Sequence, residues 1–258
     1  MNVLAFDIET IPDPVAGRRI YGLEGLDDDD TARAMAARRR QETGGSEFMR
    51  LHLHQVVAIS LAGVVEGRFR VWSLGEPEDG EPTLLKRFFE GVERYTPVLV
   101  SWNGGGFDIP VLHHRALIHG VSAPRYWESG AGDPAFRFNN YTNRFHERHT
   151  DLMDVLSGYQ LRGAAPLDEI ATLCGFPGKM GMSGADVAGA VARGELEAVR
   201  NYCETDALNT YLLYLRFQLL RGHLDETGYG NECRRVAEAL EGSDRGHLTE
   251  FLEAWRGA

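Results

Sequence analysis

The run VLAFDI at residues 3–8 is short, apolar and rich in β-formers, so it reads as a buried strand that ends in acids, FDIET. Side chains two residues apart on a strand share a face. Asp7 and Glu9 therefore stand side by side, with Phe6 and Ile8 directed into the core. Two carboxylates together at the end of a central strand repel each other unless a cation neutralises them. The chain must then fold around a polar site as well as an apolar core.

Composition sets the outer bounds. The 258 residues are 43% hydrophobic and 25% charged, an ordinary globular balance with length for a sizeable core. A net charge of -11 excludes a protein that coats nucleic acid by bulk charge, but not one that holds it at a local site. No stretch approaches the ~20 apolar residues of a membrane helix, so no membrane partner is expected. The start, MNVLAFDIET, lacks the basic region of a signal peptide. Cys174, Cys203 and Cys233 show no metal spacing and leave one thiol over, which fits a reduced cytosol.

Along the chain, acids at Asp27–Asp30 followed by Arg38, Arg39 and Arg40 match a helix dipole and predict a helix near 30–42. Segments 55–65 and 68–74 read as an antiparallel hairpin turning at Glu66-Gly67. Residues 82–94 have helical periodicity, 97–102 form a second buried strand, and a helix covers about 108–119. This is a mixed-sheet α/β layout flanked by helices. Residues 121–148 read as an ordered loop, and helices follow at 166–174, 184–193, 195–219, 231–240 and 246–256. The expected division is a domain over 1–218 with a helical extension over 219–258.

Two further places put acids against the folding pattern. In SWNGGGFDIPVL, a strand leads through Asn103 and three glycines to Asp108 at a helix start. Taken alone, Asp108 reads first as a helix cap. In RNYCETDALNTYLLYLR, Tyr202 and Asp206 lie four residues apart on one face of the long helix. Each fragment is weak alone; their order is what carries weight.

Together, FDIET, NGGGFD and YCETD resemble the three motifs (D-x-E, N-x3-F-D, Y-x3-D) of the DEDD superfamily of 3'–5' exonucleases, in its tyrosine branch. The likeness is to predicted bacterial exonucleases related to the proofreading domain of family B DNA polymerases, with HTDLMDVLSGY (149–159) and PLDEIATLCGFPGK (166–179) in support. The resemblance covers roughly residues 3–218. It implies a ribonuclease H-like, DnaQ-like fold and metal-ligand roles for Asp7, Glu9, Asp108 and Asp206. Their oxygen-only chemistry suits two Mg²⁺ or Mn²⁺ ions rather than zinc. It further implies Tyr202 as the residue orienting the attacking water, and a nucleoside 5'-monophosphate as product. The partner expected is a single-stranded DNA or RNA 3' end, and any proofreading role needs a separate polymerase or repair partner.

Lesser candidates carry a structural reading beside the functional one. Asn103 fixes a turn or touches substrate; Phe107 packs in the core or, by the resemblance, flanks terminal bases; Thr10 is a candidate donor to the terminal nucleotide. Asp151 and Asp154 read as helix caps, Lys179 as a solvated charge, and the histidines as ordinary core or surface residues. Arg38, Arg39 and Arg40, and Arg144 with the aromatics of 121–148, are candidate strand-binding groups, with a solvated face or a pinned loop as the alternative. Two other functions remain open at this point: a catalytically silent nucleic-acid-binding module on the same fold, and a two-carboxylate glycosidase.

Overall fold

The computed structural model describes residues 2–257. Among these, five strands form one mixed sheet: β1 (Val3–Pro12), β2 (His54–Val65), β3 (Arg68–Ser73), β4 (Val98–Ser101) and β5 (His149–Asp151). Their order is β3-β2-β1-β4-β5, antiparallel from β3 to β1 and parallel from β1 to β5. This is the ribonuclease H-like α/β arrangement.

The period-two alternation of β1 sorts its side chains between two cores. Leu4, Phe6 and Ile8 enter the cluster built with helices α3 (Glu81–Tyr95) and α4 (Asp108–His119). Val3 and Ala5 enter the opposite cluster, dominated by the long helix α8 (Leu196–Leu220). Asp7 and Glu9 continue that second face, so the acids emerge where an apolar stripe stops.

Strand lengths decide where the sheet opens. β1 pairs with β2 along its whole length, but with β4 only from Val3 to Ala5. Beyond β4 the chain turns away at Ser101–Trp102, and the second half of β1 has no strand on that side. The amino end of α4 and the middle of α8 close over this gap. Crevices at the carboxyl ends of strands are where α/β folds place ligands.

Several elements depart from the sequence reading. β1 runs to Pro12 rather than stopping near Ile8, because Thr10, Ile11 and Pro12 go on pairing with Val56, Gln55 and His54. Helix α1 (Pro14–Tyr21) is an element the sequence reading did not include: Pro14 fits its first turn, and the Asp13 carboxylate caps it at 2.9 Å from the Ala16 N–H. Helix α2 spans Asp28–Thr43, capped by Asp27. β5 and α5 (Leu152–Leu156) are too short to impose a period. Further on come α6 (Leu167–Leu173), α7 (Val187–Ala192), α9 (Glu226–Glu241) and α10 (Gly246–Gly257). Val236 and Leu240 of α9, and Leu248, Phe251 and Leu252 of α10, share one buried cluster with α8.

Residues 121–148 are ordered by buried rings. Tyr126, Phe136 and Tyr141 are buried, and the Tyr141 hydroxyl donates to the Pro97 carbonyl at 2.6 Å. Arg125 and Arg148 lie over Phe136, 4.3 and 3.8 Å from its centroid. Those arginines hold the loop down.

A buried ion cluster joins the start of α1 to α3 and α4. Arg115 of α4 donates to both Glu81 oxygens, at 2.7 and 2.5 Å, and to Asp13 at 2.5 Å. Glu81 also accepts from the Val56 N–H at 2.7 Å. Breaking a buried pair leaves a stranded charge, so Arg115→Met should lower stability by about 3–5 kcal/mol in a urea titration. A loss below about 1 kcal/mol would show that Asp13 and Glu81 find water or protons instead.

Candidate active site

Three carboxylates converge in the gap beside β1. Oxygens of Asp7, Glu9 and Asp206 all lie within 4.8 Å of one another. Glu9 is buried at 8% exposure, while Asp7 and Asp206 are half-buried, so the cluster opens to solvent on their side. Asp206 reaches it from α8 one turn after Tyr202, as the i, i+4 spacing requires.

Asp108 lies outside that group of three, near enough to raise the pKa values of Asp7 and Glu9, and its role differs from capping. The residue before α4 is Phe107, and no side chain caps that helix. The Asp108 carboxylate accepts instead from the Ile8 N–H at 3.2 Å. That N–H is free because β4 has already ended, so the carboxylate replaces the missing strand.

Ionising all four acids together is costly. Burial pushes the Asp7 carboxyl well above its ordinary range, and Glu9, Asp108 and Asp206 push it further. Glu9 is raised by burial, then by Asp206 and Asp108. Burial raises Asp108 to about 7 against the opposing effect of its backbone hydrogen bonds, with Asp151 adding repulsion. Asp206 rises to about 6, again chiefly through burial, while Tyr202 and Lys179 pull it back. Burial, with Asp206 and Glu9 nearby, also raises the Tyr202 phenol, so it keeps its proton. Buried Cys203 donates its thiol to the Asp7 carbonyl at 3.3 Å and is likewise held neutral by burial and the acids.

The glycine-rich loop between β4 and α4 is held by Asp151. Its oxygens accept from the N–H groups of Asn103 at 2.9 Å and Gly105 at 2.8 Å, while it also caps α5 through Asp154 N–H at 3.3 Å. The left-handed residue of the turn is Asn103, φ 62°, and not a glycine. Gly104 is needed for closeness: a Cβ there would come within 2.3 Å of Ser101 Oγ. Asn103 thus serves the turn, and its exposed side chain stays available to solvent.

Thr10 has a partner the sequence did not disclose. Its Oγ1 lies 2.8 Å from His54 Nδ1, and His54 Nε2 lies 3.3 Å from the Met49 carbonyl. A carbonyl only accepts, so Nε2 carries the hydrogen and Nδ1 is the acceptor. Burial lowers the His54 pKa and favours this neutral form. The Thr10 hydroxyl proton is therefore committed to His54, and toward the site its oxygen accepts. No local signal marked His54, because the contact spans 44 residues.

The other candidates lie further out. Phe107 is half-buried against His54 and Phe48. Arg38 and Arg39 pair with Glu42, and Arg40 with Glu47, so these guanidiniums already have partners. Arg144 bonds Asp154 at 2.7 Å and lies over the rings of Phe145 and Tyr159. Lys179 is exposed near Asp206. A cleft of about 250 Å³ opens beside Tyr202, lined also by Met180, Met182, His247 and Glu250. His247 of that lining is tied to α8: buried Glu204 accepts from it at 2.8 Å, and also from Arg245 at 2.7 Å and Ser73 at 2.8 Å.

Comparison with known proteins bears on this arrangement. A stretch of 45 residues is 44% identical to the catalytic polypeptide of DNA polymerase epsilon from Saccharomyces cerevisiae, covering 17% of this chain and 2% of that protein. The structure of the family B DNA polymerase from the archaeon Pyrobaculum calidifontis aligns over 85% of this chain and 24% of that one, at 20% identity and a TM-score of 0.47. The chain thus spans only a small part of either polymerase. Residues 46–255 match the family described as a predicted 3'–5' exonuclease related to the exonuclease domain of PolB, and the chain belongs to that family.

Proposed function

We propose that the protein is a metal-dependent 3'–5' exonuclease that hydrolyses single-stranded nucleic acid from its 3' end and releases nucleoside 5'-monophosphates. One observation carries this reading: Asp7, Glu9 and Asp206 aim oxygens at a common point, with Asp108 beside them, although burial and mutual repulsion oppose their ionisation. Such a cluster is stabilised by hard divalent cations, and an all-carboxylate donor set fits Mg²⁺ or Mn²⁺. Family membership supports phosphodiester chemistry over the glycosidase alternative. The polymerase relatives favour DNA as the strand.

Asp7, Glu9, Asp108 and Asp206 would hold the ions. When bound, such ions lower the pKa of a water and stabilise charge on the leaving oxygen. Tyr202 stays protonated and donates through its hydroxyl, which orients a water beside Asp206 without removing a proton. Thr10, its own hydroxyl hydrogen directed to His54, accepts from a donor such as a terminal 3'-hydroxyl. Asp151 keeps Asp108 in place indirectly, by fixing the loop that leads into α4.

The test uses single-stranded DNA and RNA labelled so that released mononucleotides are counted, in Mg²⁺, Mn²⁺ or EDTA. Mononucleotides are expected with either metal and none in EDTA. Binding without turnover in every metal would make this a silent binding module, and cleavage in EDTA would overturn the metal requirement. Tyr202→Phe removes only the hydroxyl, so it should lower kcat by about 10²-fold with little change in KM. An unchanged kcat would remove Tyr202 from the chemistry.

A further inference from the structure

β3 (Arg68–Ser73) is an end strand of the sheet, and its outer edge is only partly covered. The Leu74 N–H donates to the Ile59 carbonyl at 2.8 Å, which fixes the ladder with β2. Backbone groups of an antiparallel strand face a given neighbour at every second residue. In this register Arg68, Arg70 and Trp72 turn theirs to β2, while Phe69 and Val71 turn theirs outward. The Val71 carbonyl accepts from the Arg245 guanidinium. Among the described residues, the N–H and C=O of Phe69 and the N–H of Val71 have no such partner.

This edge opens into a groove of about 690 Å³, walled by Leu240 and Leu248 on the side of α9 and α10 and by Arg70 and Trp72 on the other. Strand alternation puts the side chains of Arg68 and Arg70 on one face and those of Phe69 and Val71 on the opposite one, with Leu240 and Leu248. Both arginines are exposed, and among the described residues neither makes an ion pair. The acid of the groove, Asp244, stands on the α9–α10 side. Charges on an edge strand ordinarily keep other strands away. Here they exclude a second copy, because two β3 strands paired antiparallel about Phe69 or Arg70 set arginine against arginine. They welcome an acidic strand. A phosphate backbone would also meet the arginines, but it cannot donate to the Phe69 carbonyl, whereas a peptide offers both N–H and C=O.

We propose that the outer edge of β3 is a docking site for an extended acidic segment of a partner protein, which adds a sixth strand to the sheet. Guest residues opposite Phe69 and Val71 exchange backbone hydrogen bonds with them and turn apolar side chains toward Leu240 and Leu248. Guest residues opposite Arg68 and Arg70 are Asp or Glu. A guest N–H takes the Val71 carbonyl from Arg245, which keeps its bond to Glu204 at 2.7 Å. In strand addition, main-chain bonds supply affinity and alternate side chains supply specificity. The inference is independent of the chemistry at the carboxylates.

Three fluorescein-labelled eight-residue peptides test this by anisotropy with the full chain: alternating Glu and Val, alternating Lys and Val, and the Glu–Val peptide with every valine N-methylated. The Glu–Val peptide should bind, and the N-methylated one should not, because its pairing edge has lost its donors. The double variant Arg68→Glu/Arg70→Glu, its fold checked by circular dichroism, should bind the Glu–Val peptide about 10-fold or more weakly and prefer the Lys–Val peptide. Hydrogen exchange at the Phe69 and Val71 amides should slow in the complex. Failure of the Glu–Val peptide to bind, or binding indifferent to N-methylation or to charge reversal, would overturn the inference. Single-stranded DNA bound in place of the peptide, and lost in the double variant, would overturn it in favour of a nucleic-acid contact.

Discussion

Asp7→Asn should abolish mononucleotide release and, in EDTA, yield a protein more stable than wild type. Burial and three other carboxylates make the Asp7 carboxyl costly to ionise, with only the Cys203 thiol opposing them, and an amide at that place never bears the charge. A gain of about 1–2 kcal/mol corresponds to a rise of roughly 2–8 °C in Tm. Activity should fall by about 10³-fold or more, because the central oxygen donor is gone. Adding Mg²⁺ should reverse the ranking. Wild type gains about 2.7 kcal/mol when the ion is at a hundred times its Kd, and the variant gains far less. Calorimetry with and without metal reads both halves. A variant less stable in EDTA and equally raised by Mg²⁺ would mean that Asp7 is a structural acid and not a cation ligand.

The second large effect is a pH dependence that runs opposite to the usual one. An acid whose folded pKa lies above its unfolded value binds extra protons in the folded state, and its contribution is lost as pH rises through the folded pKa. Asp206 at about 6, Asp108 at about 7, and Asp7 and Glu9 raised well above normal all act in this direction. His113 and His149, buried and lowered to about 4, oppose them below the ordinary histidine pKa of 6.5, because the unfolded chain then binds more protons. The acids therefore dominate above that point. Metal-free stability should fall as pH rises from 6.5 through about 7, where Asp108 releases its proton, at up to about 1.4 kcal/mol per pH unit for each proton released, with Asp7 and Glu9 acting in the same direction. Saturating Mg²⁺ should flatten or invert the slope, since the metal takes the deprotonated acids. Urea midpoints at several pH values in EDTA would show it, and Asp108→Asn should reduce the slope. A flat metal-free profile over this window would show that the acids ionise at ordinary pH.

How much of this was legible in sequence depends on the range of each interaction. Asp7 with Glu9, and Tyr202 with Asp206, were legible because strand and helix periods alone put each pair on one face. The two-sided burial of β1 followed from the same alternation. Asp108 was misread in part: a local rule made it a cap, whereas its carboxylate serves the Ile8 N–H 100 residues away. The glycine loop was legible as a turn, but the left-handed position belongs to Asn103, and the grip of Asp151 on it lies beyond local pattern. His54 passed as ordinary, since nothing near it in the chain announces Thr10. The arginines of 121–148 divide on their partners: Arg125 and Arg148 are spent on Phe136, whereas Arg144 stays exposed.

The shortness of β4 has a spectroscopic consequence. Had β4 continued, the Ile8 amide would bond a backbone carbonyl of fixed polarity; instead it bonds a carboxylate whose charge changes. The ¹⁵N–¹H resonance of Ile8 should therefore move as Asp108 is titrated or neutralised by a bound ion. One backbone amide thus becomes an internal indicator of the state of the site, readable in the intact protein without a substrate or a label at the carboxylates.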